Sequence, residues 1–466
     1  MPTAPKFPLR HPLAVIAMAS VATVAAAIGP ARADTLSDAL SDAYTGNAAL
    51  AAQRFTLRQT DEQVPQALSG WRPTVEVQGQ VERSKQFLNF GGGPVPHDEQ
   101  VFNQTQGQIQ ITQPLYRGGS TKAGVAAAEA TVAAGEAELT ASEQDQLLAA
   151  ATAYLDAYRD QSDVSLSRNL ERVLRVNERN VTSTYKAGAA TETDTSQAAA
   201  RLSGAIASLL ASEGNLASSV AAFRTAVGRD PAGTLGRPAV IGTVPDTEPE
   251  AESLAVTDNP TVRAARRRIE AAKHQVDALT GHLLPQVNAI AGYQVVDNYL
   301  VKGVRLSSAS VGVQASVPLY EAGSTYSQIR AAREAAAASE RDALQSEREA
   351  RQQVASAWNQ LQTARAQQQQ YRDQIHANQV ALDDTMKEVE VGTRTRLDTL
   401  NAEQELFSSQ VNLVGAEHDT LLATFRLEAA IGGFTAESLG LKVERYDPKA
   451  HLAAVRDQWI GTTPRQ

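Results

Sequence analysis

Histidine, cysteine and clustered charge are the residues to weigh first for chemistry. Beyond the first 33 residues the histidines are His97, His274, His282, His376, His418 and His451. None is close enough to another to form the paired spacing of a zinc-binding helix, so they read as solvated helix or loop residues. The chain has no cysteine. That excludes a thiolate metal site, a disulfide framework and a lipid anchor built on an N-terminal cysteine. Gly91, Gly92 and Gly93 lack the strand-to-helix setting and the following Lys-Ser/Thr of a phosphate cradle. Arg263, Arg266, Arg267 and Arg268 form the one dense basic cluster, and Glu270 beside them favours surface ion pairs. The run Gln367 to Gln370 sits in an Ala/Arg/Gln-rich stretch and reads as a solvated helix face. With no catalytic, metal or cofactor constellation, the expected class is not an enzyme.

The N-terminus and the charge narrow the setting. Lys6 and Arg10 precede an apolar run from Leu13 to Ile28, which ends near Ala31-Arg32-Ala33. This reads as a secretory signal over residues 1–33, with the mature chain starting at Asp34. The run is shorter than the ~20 residues that span a bilayer. The formal charge is −9, and removing the basic Lys6, Arg10 and Arg32 makes the mature chain more acidic still. Nucleic acid is therefore not an expected partner. An acidic surface or channel is compatible with this balance, as is ordinary solubility.

The elements that must carry any function come in two copies. Pro114-Leu115-Tyr116 with Gly119-Ser120 returns 204 positions later as Pro318-Leu319-Tyr320 with Gly323-Ser324. Gly188 and Asp194 map at the same offset onto Gly392 and Asp398, Tyr154 onto Trp358, and Val227-Gly228 onto Ile431-Gly432. Upstream the offset is 212, pairing Asn47 with Asn259 and Pro73 with Pro285. The length difference falls between Pro73 and Pro114, so that connection is a loop free to vary. The division is a signal at 1–33, a first repeat at 34–228, a linker at 229–249, a second repeat at 250–432 and a tail at 433–466.

Each repeat changes period along its length. Residues 34–69 predict one short helix. Val75, Val77, Gly79 and Val81 alternate with polar residues, as do Ile109 and Ile111, and the pattern returns less cleanly at Val287 to Tyr293 and clearly at Val311 to Val317. Such half-apolar strands suit a transmembrane barrel or a soluble antiparallel sheet. A proline-free run from Ser120 to Lys186 predicts a helix about 100 Å long, stopped at Gly188 and followed by a return helix through Val227. Ser324 to Glu390 and Asp398 to Ile431 repeat this, with the stop at Gly392. Tyr446-Asp447-Pro448 reads as a turn, and Trp459-Ile460 as the last apolar contact.

In order and in twofold repetition these motifs resemble the TolC family of outer-membrane efflux proteins, over nearly all of the mature sequence. The motifs that carry it are the paired Pro-Leu-Tyr-x-x-Gly-Ser turns, Asn259-Pro260, and Val391-Gly392-Thr393-Arg394-Thr395 before Leu397-Asp398. The resemblance implies a mainly α fold with a β-barrel part. A homotrimer would form a 12-stranded transmembrane β-barrel, four strands per protomer, continued by a long periplasmic α-helical barrel. It also implies a passive exit duct in the outer membrane, served by a periplasmic adaptor protein and an inner-membrane transporter. The strand count agrees independently, because four strands cannot close a barrel of eight or more. An oligomer around one axis leaves no sheet edge open in lipid.

The family's periplasmic gate falls on Asp194, Thr393, Arg394, Asp398 and Asn401. Its tip tyrosine falls on Val389, and the second of its constricting aspartates on Asn401, which leaves Arg394 as the expected latch to Asp194 and a single carboxylate ring from Asp398. Type I protein secretion is an alternative to small-molecule efflux. A soluble periplasmic coiled-coil scaffold or adaptor fits less well, since an adaptor normally inserts one helical hairpin into a β-rich module and this chain has two.

Overall fold

The computed structural model describes residues 34–87, 99–300 and 302–464. The expected signal, His97 and the Gly91 to Gly93 loop lie outside the described residues. Thr35 and Asp38 form a reciprocal capping box that starts α1 (Leu36–Gly46). The single helix expected over residues 34–69 is not observed. Asn47 takes an extended backbone, and its carboxamide oxygen accepts the Ala49 and Leu50 amides to start α2 (Ala48–Asp61), before α3 (Gln63–Leu68). A side chain that competes for backbone donors ends one helix and opens the next.

The strands β1 (Thr74–Phe87) and β2 (Glu99–Arg117) lead into α4 (Ser120–Lys186), 67 residues long, and its return partner α5 (Glu192–Val227). The second copy follows as α6 (Glu248–Asp258), α7 (Pro260–Thr280), β3 (Gln286–Asp297), β4 (Arg305–Ser316), α8 (Ser324–Glu390) and α9 (Arg396–Ala430). A short α10 (Pro448–Val455) closes the chain, with Asp447 capping it and Pro448 at its first position. Along α4, the return helix α5 covers the half near the tip while α1 to α3 and α7 cover the other half, and α8 is lined in the same way by α9, α6 and α7. No helix among the described residues is long and apolar enough to cross a membrane.

The duplication is visible in the packing position by position. One core buries Ala39, Ala43, Leu50, Ala150, Ala153, Ala157, Phe223 and Val227. The other buries Ala251, Ala255, Val262, Val354, Ala357, Leu361, Leu427 and Ile431, each the repeat counterpart of the first set. The two asparagines explain why that register is kept. Asn47 caps α2 and donates to the Ala226 carbonyl at 3.3 Å, and Asn259 caps α7 and donates to the Ala430 carbonyl at 3.0 Å. Each asparagine thus ties a helix start to the end of its own repeat's return helix.

The tail belongs to the first core. Phe434, Ala436, Leu439 and Leu441 are buried there, and the Phe434 ring lies 5.4 Å from that of Phe425. Trp459 and Ile460 are not the tail's apolar anchor: Ile460 is 91% exposed, and Trp459 packs one face under Arg72 at 5.0 Å. The linker is pinned at its start by Arg229, which donates to Asp34 and Asp42 at 2.6 Å each. The buried Tyr154 hydroxyl lies 2.7 Å from the carbonyls of both Asp34 and Gly236.

Candidate functional site

The four strands form one antiparallel sheet in the order β1-β2-β3-β4. The register sets Val75, Ile111, Ala291 and Val311 side by side in one row and Val77, Ile109, Tyr293 and Ala309 in the next. These rows share a face, because directly opposite residues point the same way and neighbours along a strand alternate. Val77 is 76% exposed and Val311 is 89% exposed, so nothing among the described residues covers this face. The intervening rows, Glu76-Gln110-Gly292-Ser310 and Gln78-Gln108-Gln294-Ser308, make the other face polar. Among the described residues β1 pairs only with β2 and β4 only with β3. Both outer edges therefore carry unpaired backbone groups.

The turns that join sheet to helix use a left-handed residue before each long helix: Gly119 at φ 81° caps α4 and Gly323 at φ 80° caps α8. The two prolines sit differently. Pro114 lies inside β2, opposite Asn288 at a bulge, whereas Pro318 follows the end of β4.

At the opposite end of the long helices, Gly188 and Gly392 take φ of 79° and 82°; their amides donate to the Tyr185 and Val389 carbonyls, and the next amides, of Ala189 and Thr393, donate to those of Thr184 and Glu388, which satisfies late carbonyls of α4 and α8. Thr191 and Thr395 then cap the return helices, and Asp194 and Asp398 complete the boxes by accepting the threonine amide and hydroxyl. Those hydrogen bonds hold both carboxyls below the usual carboxylate range. Within the chain Arg394 does not reach Asp194. Its Nε lies 2.7 Å from Glu388, and the Thr393 hydroxyl donates to the Glu388 carbonyl at 2.9 Å. Asn401 accepts from the Arg201 guanidinium at 2.9 Å, across from α5 to α9. Beside this bond a cleft of about 280 Å³ lies between the hairpins, lined by Val181, Asp194, Thr395, Leu397 and Leu400.

The sequence matches the family described as Outer membrane efflux protein over residues 39–229 and 252–433. It is 34% identical over 451 residues to the outer membrane efflux protein BepC of Brucella suis biovar 1, covering 96% of this chain and 95% of that one. This chain belongs to the outer membrane efflux protein family. The outer membrane protein TolC of Vibrio cholerae serotype O1 is 24% identical over 354 residues, covering 72% of this chain and 80% of that one. The crystal structure of the outer membrane protein VceC from Vibrio cholerae shares the fold, with a TM-score of 0.72 at 20% identity over 85% of this chain and 96% of that one. The family places the protein in the outer membrane, and its members are channels rather than enzymes.

Within this efflux-family fold several residues are not where sequence reasoning puts them. His418 and His451 are buried rather than solvated. His451 lies 2.8 Å from Asp61 and joins α10 to α2. His418 lies 2.9 Å from both Asp156 and Asp419 and joins α4 to α9. Burial opposes its charged form, but those two carboxylates outweigh it and the imidazole is raised above its ordinary value. Asp156 is 262 residues from His418 and Asp61 is 390 from His451, so local spacing, which shows only the adjacent Asp419, could not mark these joints between helices. Tyr185 is the counterpart of Val389 by the 204-residue offset, and it is 44% exposed at the tip of the first hairpin. The basic cluster does form surface ion pairs, Arg266 to Glu347, Arg267 to Glu270 and Arg268 to Glu138. Among the described residues no cluster of three or more histidines and carboxylates is placed to hold a metal.

Proposed function

We propose that three copies of this chain close into a 12-stranded barrel in the outer membrane. Its helices would continue it as a periplasmic tunnel, a passive exit duct for cargo delivered by an inner-membrane transporter through a periplasmic adaptor. The observation that carries this reading is the sheet, with one exposed apolar face, one polar face and two unpaired edges. Lipid satisfies such a face, while unpaired backbone in lipid is untenable, so β4 of one copy pairs with β1 of the next. The tip gates the duct through Asp194, Thr393, Arg394 and Asp398, with Arg394 latching Asp194 on a neighbouring hairpin. Within the chain its partner is Glu388, and opening exchanges one partner for the other.

The internal repeat supplies the register of the seam. β2 pairs with β3 so that Ile109 faces Tyr293. Carrying β2 onto β4 by 204 residues and β3 back onto β1 by 212 places Val313 opposite Val81 of the next copy. The chain has no cysteine, so Val81→Cys with Val313→Cys is a clean pair. Oxidation of the detergent-solubilised protein should give covalent trimers that conduct in planar bilayers. A monomeric mass in detergent, or no linkage between copies, would overturn the reading.

A further inference from the structure

The repeat that predicts the seam also applies at the tip, to a contact the gate residues leave out. Arg201 on α5 donates to Asn401 on α9 at 2.9 Å, and next to it Leu400 and Phe407 of α9 pack on Leu170, Leu174, Leu202 and Ala205 of the first hairpin. Hairpin one and hairpin two of the same chain are thus joined about two helical turns above Asp194. Asn401 lies one turn from Asp398, on the same side of α9.

We propose that Arg201 is a positioning residue for the gate: it straps the two hairpins of one copy together and places a cation beside the Asp398 ring, and so sets how the closed tip selects ions. This rests on the proposed trimeric duct. The 204-residue offset carries Arg201 onto Glu405 and Asn401 back onto Gln197. In a closed ring of six hairpins, the counterpart of the strap within a chain is a contact between chains, Glu405 of one copy to Gln197 of the next. The ring alternates a cationic strap inside each copy with an anionic one between copies. The six joints are alike in backbone and opposite in charge.

Breaking an exposed charge-assisted contact shifts an equilibrium about twofold, and three copies make that about eightfold in the open-to-closed ratio. Arg201→Ala should therefore raise conductance in planar bilayers. Asn401→Asp alone should barely change cation preference, because Arg201 neutralises the new carboxylate. The same substitution with Arg201→Ala should increase it clearly. Equal increases in both backgrounds would overturn the proposal.

Thiol pairs give a second, structural measurement. With a short bismaleimide, Arg201→Cys/Asn401→Cys should link within one chain and run as a monomer in denaturing gels, while Gln197→Cys/Glu405→Cys should give linked chains. Linked chains from the first pair, or monomers only from the second, would overturn the strap. The seam pair Val81→Cys/Val313→Cys serves as control on the same preparation. If it forms trimers while the tip pairs fail, the strap is wrong and the duct stands; if it also fails, the duct reading is at fault.

Discussion

Replacing Glu428 by glutamine should stabilise the protein in alkali and not in acid. Glu428 is 3% exposed near the end of α9, where the helix carbonyls disfavour a negative charge. Its Oε2 has no hydrogen-bond partner, and the linker closes over it at Gly242, where φ is +101° and an added Cβ would stand 1.5 Å from Oε1. Burial pushes this carboxyl up to about 7, against the Thr243 amide, which lowers it; the ordinary value is 4.5. The folded chain thus binds more protons than the unfolded one between those values, and stability falls as pH rises through that window. The full loss above pH 7 is about 3 kcal/mol. Glu428→Gln keeps the shape and cannot ionise. In denaturant titrations in one detergent it should match wild type within about 1 kcal/mol near pH 4.5, the cost of one imperfect amide hydrogen bond. By pH 8.5 it should exceed wild type by about 2–3 kcal/mol. Asp163, which burial and then the Asp160 charge push up to about 6, adds to the slope of both proteins and cancels in the difference. A gap of the same size at both pH values would show that the linker does not seal a titrating carboxyl. Gly242→Ala, which drives a methyl into the carboxylate, should destabilise at both.

Two further substitutions test the joints between helices. Asn259→Ala removes the α7 cap and strands the buried Ala430 carbonyl, so it should cost about 2–4 kcal/mol, more than Asn47→Ala, whose longer bond lies in a half-exposed site; equal costs by denaturant titration would mean the burial difference is irrelevant. Burial lowers His418, with Arg159 adding to it, but Asp156 and Asp419 raise it by more, so its contribution is present below the ordinary imidazole value of 6.5 and lost as pH rises through its folded value; a stability difference between wild type and His418→Ala that does not shrink with rising pH would refute the charged clasp.

The sequence displays the helices clearly because their signals are local: a proline-free alanine-rich run, a glycine stop, and a threonine three residues before an aspartate at Thr191-Asp194 and Thr395-Asp398. The sheet's two faces are legible from alternation in β1, β2 and β4, and less cleanly in β3, where Ile290 and Val296 interrupt it. Asn47 is the instructive miss. Its flanks are helical on both sides, so periodicity runs through it, and only its pairing with Asn259, which is followed by a proline, hints at a break. The candidate gate is legible only as far as resemblance carries it. Arg201 and His418 act on partners 200 and 262 residues away, and distance along the chain hides such contacts however distinctive the side chains are.

The one motif that folds differently in its two copies bears on how the sheet is completed. Pro114 lies in an interior strand: β3 holds it opposite Asn288, and β2 continues through the bulge to Arg117. Pro318 has the same neighbours in sequence, Leu and Tyr following, yet β4 stops at Ser316. The match at Pro-Leu-Tyr does not favour the longer strand in either copy, and the residue before the proline, Gln113 against Val317, is the better strand former in the copy whose strand stops early. The difference lies in the partner: β3 still runs beside β2 at Pro114 and beyond, and among the described residues β4 has no strand on its outer edge. A proline offers no amide to a ladder, so the strand beyond it persists only when a neighbour pairs with its carbonyls and with the residues that follow. The 212-residue offset names that neighbour. Asn288 maps onto Glu76, so a β1 edge from a second copy would bring Glu76 opposite Pro318 and supply what β3 supplies to Pro114. The truncated strand is thus what the proposed trimer requires of an edge whose partner would be another copy of the same chain.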